Sequence, residues 1–168
     1  NGDVLGIKEE YLQNVRRLLE ICRKCEMPVL WTINFHSSTL PDYYGMDSWN
    51  IISQMYCNPV VTEHYVERFV TPLCTVLAEY PDVVAMVSAT VEAENEVNDS
   101  DIGNHFSGNR AVYGVTQKAM LNFITRVNET LAEKLPDVSR TLCSNGDYTS
   151  IYSELDLDFL GRNRYASS

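Results

Sequence analysis

The residues from Val83 to Val91 form a nearly unbroken apolar run that passes directly into Glu92-Ala93-Glu94-Asn95-Glu96-Val97. An apolar strand ending in three carboxylates constrains this chain more than any other segment. Catalytic groups of parallel α/β proteins gather where strands end at the carboxyl edge of the sheet, so any chemistry is expected there first.

The segments around that strand alternate in period. Tyr11, Leu12, Val15, Leu18, Leu19 and Cys22 have the spacing of one helical face and predict a helix over 8–25. Met27-Pro28 breaks it, and Val29 to Phe35, rich in β-branched and aromatic residues, predicts a strand. Residues 39–59 show no sustained period and carry Tyr43, Tyr44, Trp49 and Tyr56, which predicts a long aromatic loop. A second helix is expected over 62–80, kinked or broken at Pro72. After the polar stretch 98–114, Ala119, Met120, Phe123, Ile124, Val127, Leu131 and Leu135 predict a third helix over 116–135. Short strands follow at 140–144 and 155–160.

Helices alternating with strands imply a parallel sheet with right-handed crossovers, either an open doubly wound sheet or part of an eight-stranded β/α barrel. No glycine-rich phosphate loop follows any strand, which favours the barrel. A complete barrel takes about 250 residues, and this chain has 168. The expectation is therefore a single domain over 1–168 that is a fragment of a larger (β/α)8 catalytic domain.

Composition narrows the partners. With 13 basic and 23 acidic residues the formal charge is −10, which argues against an electrostatic hold on nucleic acid or an anionic membrane. No apolar run approaches the roughly 20 residues of a membrane helix. The chain starts at Asn1-Gly2-Asp3, with neither an initiating methionine nor the regions of a signal peptide, and is expected to be a piece of something longer. Extracellular and cytoplasmic locations both stay open. The five cysteines, Cys22, Cys25, Cys57, Cys74 and Cys143, are odd in number and dispersed, so they suggest neither a disulfide framework nor a metal site. Asn98-Asp99-Ser100 and Asn128-Glu129-Thr130 match the glycosylation pattern, a triplet that arises often by chance.

The strand ends carry a resemblance. Asn34-Phe35-His36 closes one strand, Tyr80-Pro81-Asp82-Val83-Val84-Ala85 leads the next, Asn95-Glu96 lies beyond it, and Asp158-Phe159 precedes Asn163-Arg164-Tyr165. In this order and spacing they resemble the middle of glycoside hydrolases of the family-five, cellulase and mannanase type, approximately strands three to six of the TIM barrel. The resemblance implies that His36 lines a sugar subsite and that Glu96 is the general acid/base behind Asn95, which would bond a sugar hydroxyl. It places Tyr165 in a substrate-binding motif, with Asn163 standing where the family has His. Asn95-Glu96 lies a few residues further beyond the strand than in the family, so Glu92 and Glu94 are alternative acid/base groups.

The chemistry that the resemblance implies needs two carboxyl groups about 5 to 5.5 Å apart, one donating a proton to the leaving oxygen and one attacking the anomeric carbon. The family's nucleophile ends strand seven, which this chain does not contain, so no residue here takes that role and the remaining barrel strands are expected from missing sequence. Tyr43, Tyr44 and Trp49 would stack on sugar faces of a neutral carbohydrate substrate. No cofactor and no metal are implied. The activity expected is retaining hydrolysis of β-linked glycans. The alternatives are a non-catalytic carbohydrate-binding or scaffold module, and an open-sheet α/β domain of unrelated function.

Overall fold

The computed structural model describes residues 3–34, 48–97, 114–145 and 148–163. Helix α1 (Glu9–Lys24) leads into strand β1 (Val29–Asn34). Helices α2 (Ser48–Cys57), α3 (Pro59–Tyr65) and α4 (Thr71–Leu77) precede β2 (Val84–Val91), and α5 (Gln117–Lys134) precedes β3 (Ser139–Asn145) and β4 (Phe159–Asn163).

The four strands pair in the order β1-β2-β3-β4, all parallel. Spatial order therefore equals chain order. A doubly wound sheet reverses its strand order at a switch point, whereas a barrel adds each new strand on the same side. The strand order thus excludes the open doubly wound alternative and makes this a four-strand section of a barrel wall.

The two faces of the sheet differ accordingly. Leu142 of β3 belongs to the core, and Arg140, two residues before it, lines a cavity with Thr125, Asn128 and Ala132 of α5. By strand alternation Thr141 and Cys143 face away from α5. Leu30, Met86 and Phe159 share the parity of Thr141 through the strand register and are exposed, as the inner wall of an open barrel section would be.

The core lies between the sheet and the helices. Leu12, Val15, Leu19 and Cys22 bury the inner stripe of α1, while Tyr11 and Leu18, expected on that stripe, sit at its exposed margin. Phe123 of α5 lies 4.5 Å from the ring of Tyr56 and 5.6 Å from that of Tyr65, so one ring joins α2 and α3 to α5. Thr116 caps α5 by accepting the Ala119 N–H, and Asn58 caps α3 with Pro59 in its first turn.

Three sequence expectations need correction. Residues 48–57 of the expected loop are helix α2, with Met55 and Tyr56 buried. The helix expected over 62–80 runs over 59–77, and the irregularity expected at Pro72 is a π-helical turn at Val66–Val70 just before it, between α3 and α4. The fourth strand lies at Phe159–Asn163 rather than 155–160. Leu155 and Leu157 alternate because they pack on the core on the way into it, while the Asp156 carbonyl accepts from Asn128 and the Asp158 carboxylate accepts the Arg140 N–H.

Close packing between β3 and β4 fixes their spacing at one point. A Cβ placed on Gly161 would lie 2.7 Å from the Cys143 sulfur. Gly161→Ala is expected to cost about 1–3 kcal/mol by overpacking, and Cys143→Ala in the same chain should recover most of it. Urea unfolding of the two single variants and the double checks this, and equal losses with and without Cys143 would refute it.

The Asn128 triplet has a structural answer. Its side chain is buried in α5 and donates to the Asp156 carbonyl at 2.7 Å. Asn128 is expected to stay unglycosylated when the chain is secreted from a eukaryotic host, which intact-mass measurement of the product checks.

Candidate functional site at the carboxyl edge

All four strands are parallel, so their carboxyl ends share one edge, and Asn34, Val91, Asn145 and Asn163 close the four strands there. Strand β2 reaches that edge with an irregularity. Between Ser88 and Val91 it advances three residues while β3 advances two, from Thr141 to Cys143, and the Ser88 hydroxyl turns back to the Thr90 carbonyl at 2.6 Å. Such bulges re-aim the residues that follow.

The acidic segment begins immediately after. Glu92 has a left-handed backbone (φ 52°, ψ 37°), a strained choice for a residue other than glycine, and leads into a 3₁₀ turn over Ala93–Glu96. Its N–H continues the ladder to the Cys143 carbonyl at 2.8 Å. The three glutamates are all buried, at 7% exposure for Glu92, 0% for Glu94 and 2% for Glu96, yet they occupy different surroundings.

Glu92 stays at the strand edge. One carboxylate oxygen accepts from the Asn95 amide at 3.1 Å and the other from the Asn163 amide at 2.7 Å. Asn163 ends β4, so the Glu92 carboxylate spans the end of β3. Asn163 shares its parity with Gly161 and Cys143, which puts this contact on the side away from α5. The Cys143 thiol lies close enough that burial first, and then the Glu92 charge, push its pKa up.

Glu94 and Glu96 lie beside tyrosines. The Tyr152 hydroxyl donates to the Glu94 carboxylate and accepts the Glu94 N–H at 3.1 Å, with the Met120 sulfur of α5 at 3.7 Å. Burial, and next the Glu94 charge, drive the Tyr152 phenol far above its ordinary pKa. Glu96 lies near Tyr56 of α2, whose phenol is likewise driven far up, first by burial and then by the Glu96 charge. Thr90 and Asn34 also lie beside the Tyr56 hydroxyl, outside hydrogen-bonding geometry.

The structure therefore brings Glu92, Asn95 and Asn163 together at the edge and seats Glu94 and Glu96 among tyrosines. Asn95 bonds Glu92, the role that the sequence reading did not foresee for it. His36, Tyr43, Tyr44 and Tyr165 lie outside the described residues, and Trp49 is described only in its backbone, in the first turn of α2. Tyr152 was missed and Tyr56 was read only as an aromatic of the expected loop, because a tyrosine in an irregular connection or an unrecognised helix carries no pattern. Among the described residues no three or more His, Cys, Asp or Glu side chains are gathered as metal ligands would be, and no helix is long and apolar enough to cross a membrane.

Fold and site together define a section of a (β/α)8 barrel with an acidic carboxyl edge. Known structures have this architecture. A β-1,4-D-mannanase from Cryptopygus antarcticus superposes with a TM-score of 0.73 over 99% of this chain and 52% of its own, at 12% identity. A β-mannanase from the blue mussel Mytilus edulis gives 0.69 over 89% and 43%, at 14% identity. A GH5_18 protein from Streptomyces cattleya, solved in complex with Manβ1-4GlcNAc, gives 0.62 over 89% and 33%, at 12% identity. The chain thus spans between a third and about half the length of these structures. No protein-family model and no curated protein sequence matches it. At the level of fold, the resemblance to family-five mannanases expected from the strand ends is borne out.

Proposed function

We propose that this chain is the acid/base-bearing part of a retaining glycoside hydrolase acting on β-linked glycans, with Glu92 as the acid/base group. The observation that carries the reading is the position of the Glu92 carboxylate. The amides of Asn95 and Asn163 hold it, and the Asn163 contact lies on the side of the strand edge away from α5. Glu94 is engaged by the Tyr152 hydroxyl beside Met120 of α5, and Glu96 lies near the buried Tyr56 phenol.

In this reading Glu92 gives its proton to the leaving oxygen while a second carboxylate, supplied by a strand outside this sequence, attacks the anomeric carbon. Glu92 then takes a proton from the water that releases the sugar. Asn95 and Asn163 hold the carboxylate in place. His36, Tyr165, Tyr43, Tyr44 and Trp49 are proposed to line the sugar subsites, the aromatic rings stacking on the apolar faces of the pyranoses. A neutral polysaccharide suits a chain of charge −10.

Similarity to β-mannanases makes β-1,4-mannan the first substrate to test. The full-length protein is expected to release new reducing ends from it. Binding of mannan oligosaccharides by calorimetry without bond cleavage would instead identify a non-catalytic carbohydrate-binding module, and neither binding nor cleavage of any β-linked glycan would refute both.

A further inference from the structure

We propose that Tyr152 is a positioning residue for the site at the carboxyl edge, holding the turn that aims Glu92. The inference rests on reading Glu92 as the acid/base group.

Tyr152 lies in the 3₁₀ turn Tyr148–Tyr152 between β3 and β4, and its hydroxyl makes two bonds to one residue, donating to the Glu94 carboxylate and accepting the Glu94 N–H. Glu94 is the second residue of the turn that starts at the left-handed Glu92. At the other end of the same connection, Asn163 holds the Glu92 carboxylate, while the Glu92 N–H is tied to Cys143 at the end of β3. The β3–β4 segment therefore grips the acidic turn at two points, at Glu92 where the turn begins and at Glu94 through Tyr152. A left-handed glutamate persists only where its surroundings over-determine it. With Glu94 fixed from both its N–H and its carboxylate, Glu92 has little freedom to swing away from Asn163.

Tyr152→Phe removes both bonds and keeps the ring in the core. Displacing a reacting group by about 1 Å costs on the order of 10²-fold in rate. Proton donation matters most when the leaving oxygen is a poor leaving group, so the loss should depend on the substrate. Tyr152→Phe in the full-length protein is expected to lower kcat on β-1,4-mannan by about 10²-fold, with KM nearly unchanged and little loss on a dinitrophenyl β-mannoside. A merely structural role would lower both substrates equally, and an equal loss on both, or none on either, overturns the proposal.

A second measurement is independent of activity. The side-chain amide NMR signals of Asn95 and Asn163 are expected to move in Tyr152→Phe in the same sense as in Glu92→Gln. Unmoved signals in a folded Tyr152→Phe protein overturn the proposal, whereas moved signals in a protein that cleaves no glycan support the positioning and refute the hydrolase reading alone. Should Tyr152→Phe not fold, the pair Tyr152→Phe/Glu94→Gln, which leaves no buried charge behind, is read in the same way.

Discussion

Glu92→Gln in the full-length protein is expected to lower kcat for β-linked glycan hydrolysis by about 10² to 10⁴-fold, the usual worth of a positioned general acid/base. The amide keeps one acceptor oxygen, so either Asn95 or Asn163 must flip its own amide to turn an oxygen toward the new NH2; with that flip the turn should hold its shape and KM should move little. The loss then falls on proton transfer rather than on binding. Glu94→Gln and Glu96→Gln are expected to behave differently. Each removes a buried carboxylate beside a tyrosine, which alters stability, but neither is held by Asn163 at the end of β4 as Glu92 is. Each should cost less than about tenfold in kcat, well below a lost acid/base group. Initial rates on β-1,4-mannan for the three variants decide the assignment. If Glu96→Gln proves inactive while Glu92→Gln keeps full activity, the acid/base role passes to Glu96, as the Asn95-Glu96 pair taken alone suggests.

The ambiguity among these glutamates shows where sequence reasoning reaches its limit. Strand β2 was legible because an apolar run flanked by helical periods leaves few alternatives, and its acidic end followed directly. Helices α1 and α5 were legible from one-sided apolar spacing. The orientation of the glutamates was not legible. It depends on the extra residue between Ser88 and Val91 and on the left-handed backbone of Glu92, and both are settled by pairing with β3 and by the grip of Tyr152 and Asn163. Alternation cannot be carried through a bulge, so counting from the strand does not tell which carboxylate stays on the inner wall.

Helix α2 was hidden for a related reason. Its described buried side chains, Met55 and Tyr56, are adjacent in sequence, and the Pro, Gly and Asp residues just before it obscure any period. Two neighbouring apolar residues do not distinguish a helix from a loop that touches the core. The register of β4 was misplaced because Leu155-Asp156-Leu157-Asp158 alternates like a strand, although its polar groups serve Asn128 and Arg140 instead of a ladder.

The largest stability effect is expected at Phe123. Its ring is buried against Tyr56 of α2 and Tyr65 of α3, and Tyr65 stacks in turn on Phe69 at 5.2 Å. Phe123→Ala removes the shared centre of that group and leaves a cavity among rings that are themselves constrained, so it should cost about 3–5 kcal/mol. Leu18→Ala, at an exposed position on α1, should stay within about 0.5 kcal/mol. Urea unfolding of the two variants makes the comparison, with the denaturant slope unchanged if the denatured state is unaltered. The effect should also reach the carboxyl edge, because Phe123 supports Tyr56, and Tyr56 lies beside Glu96, Asn34 and Thr90. Phe123→Ala is therefore expected to lower activity even well below its unfolding midpoint, whereas Gly161→Ala/Cys143→Ala, which repairs its own crowding, should not. A Phe123→Ala protein as stable as the parent would mean that α2 and α3 are held to the sheet by contacts other than this aromatic group.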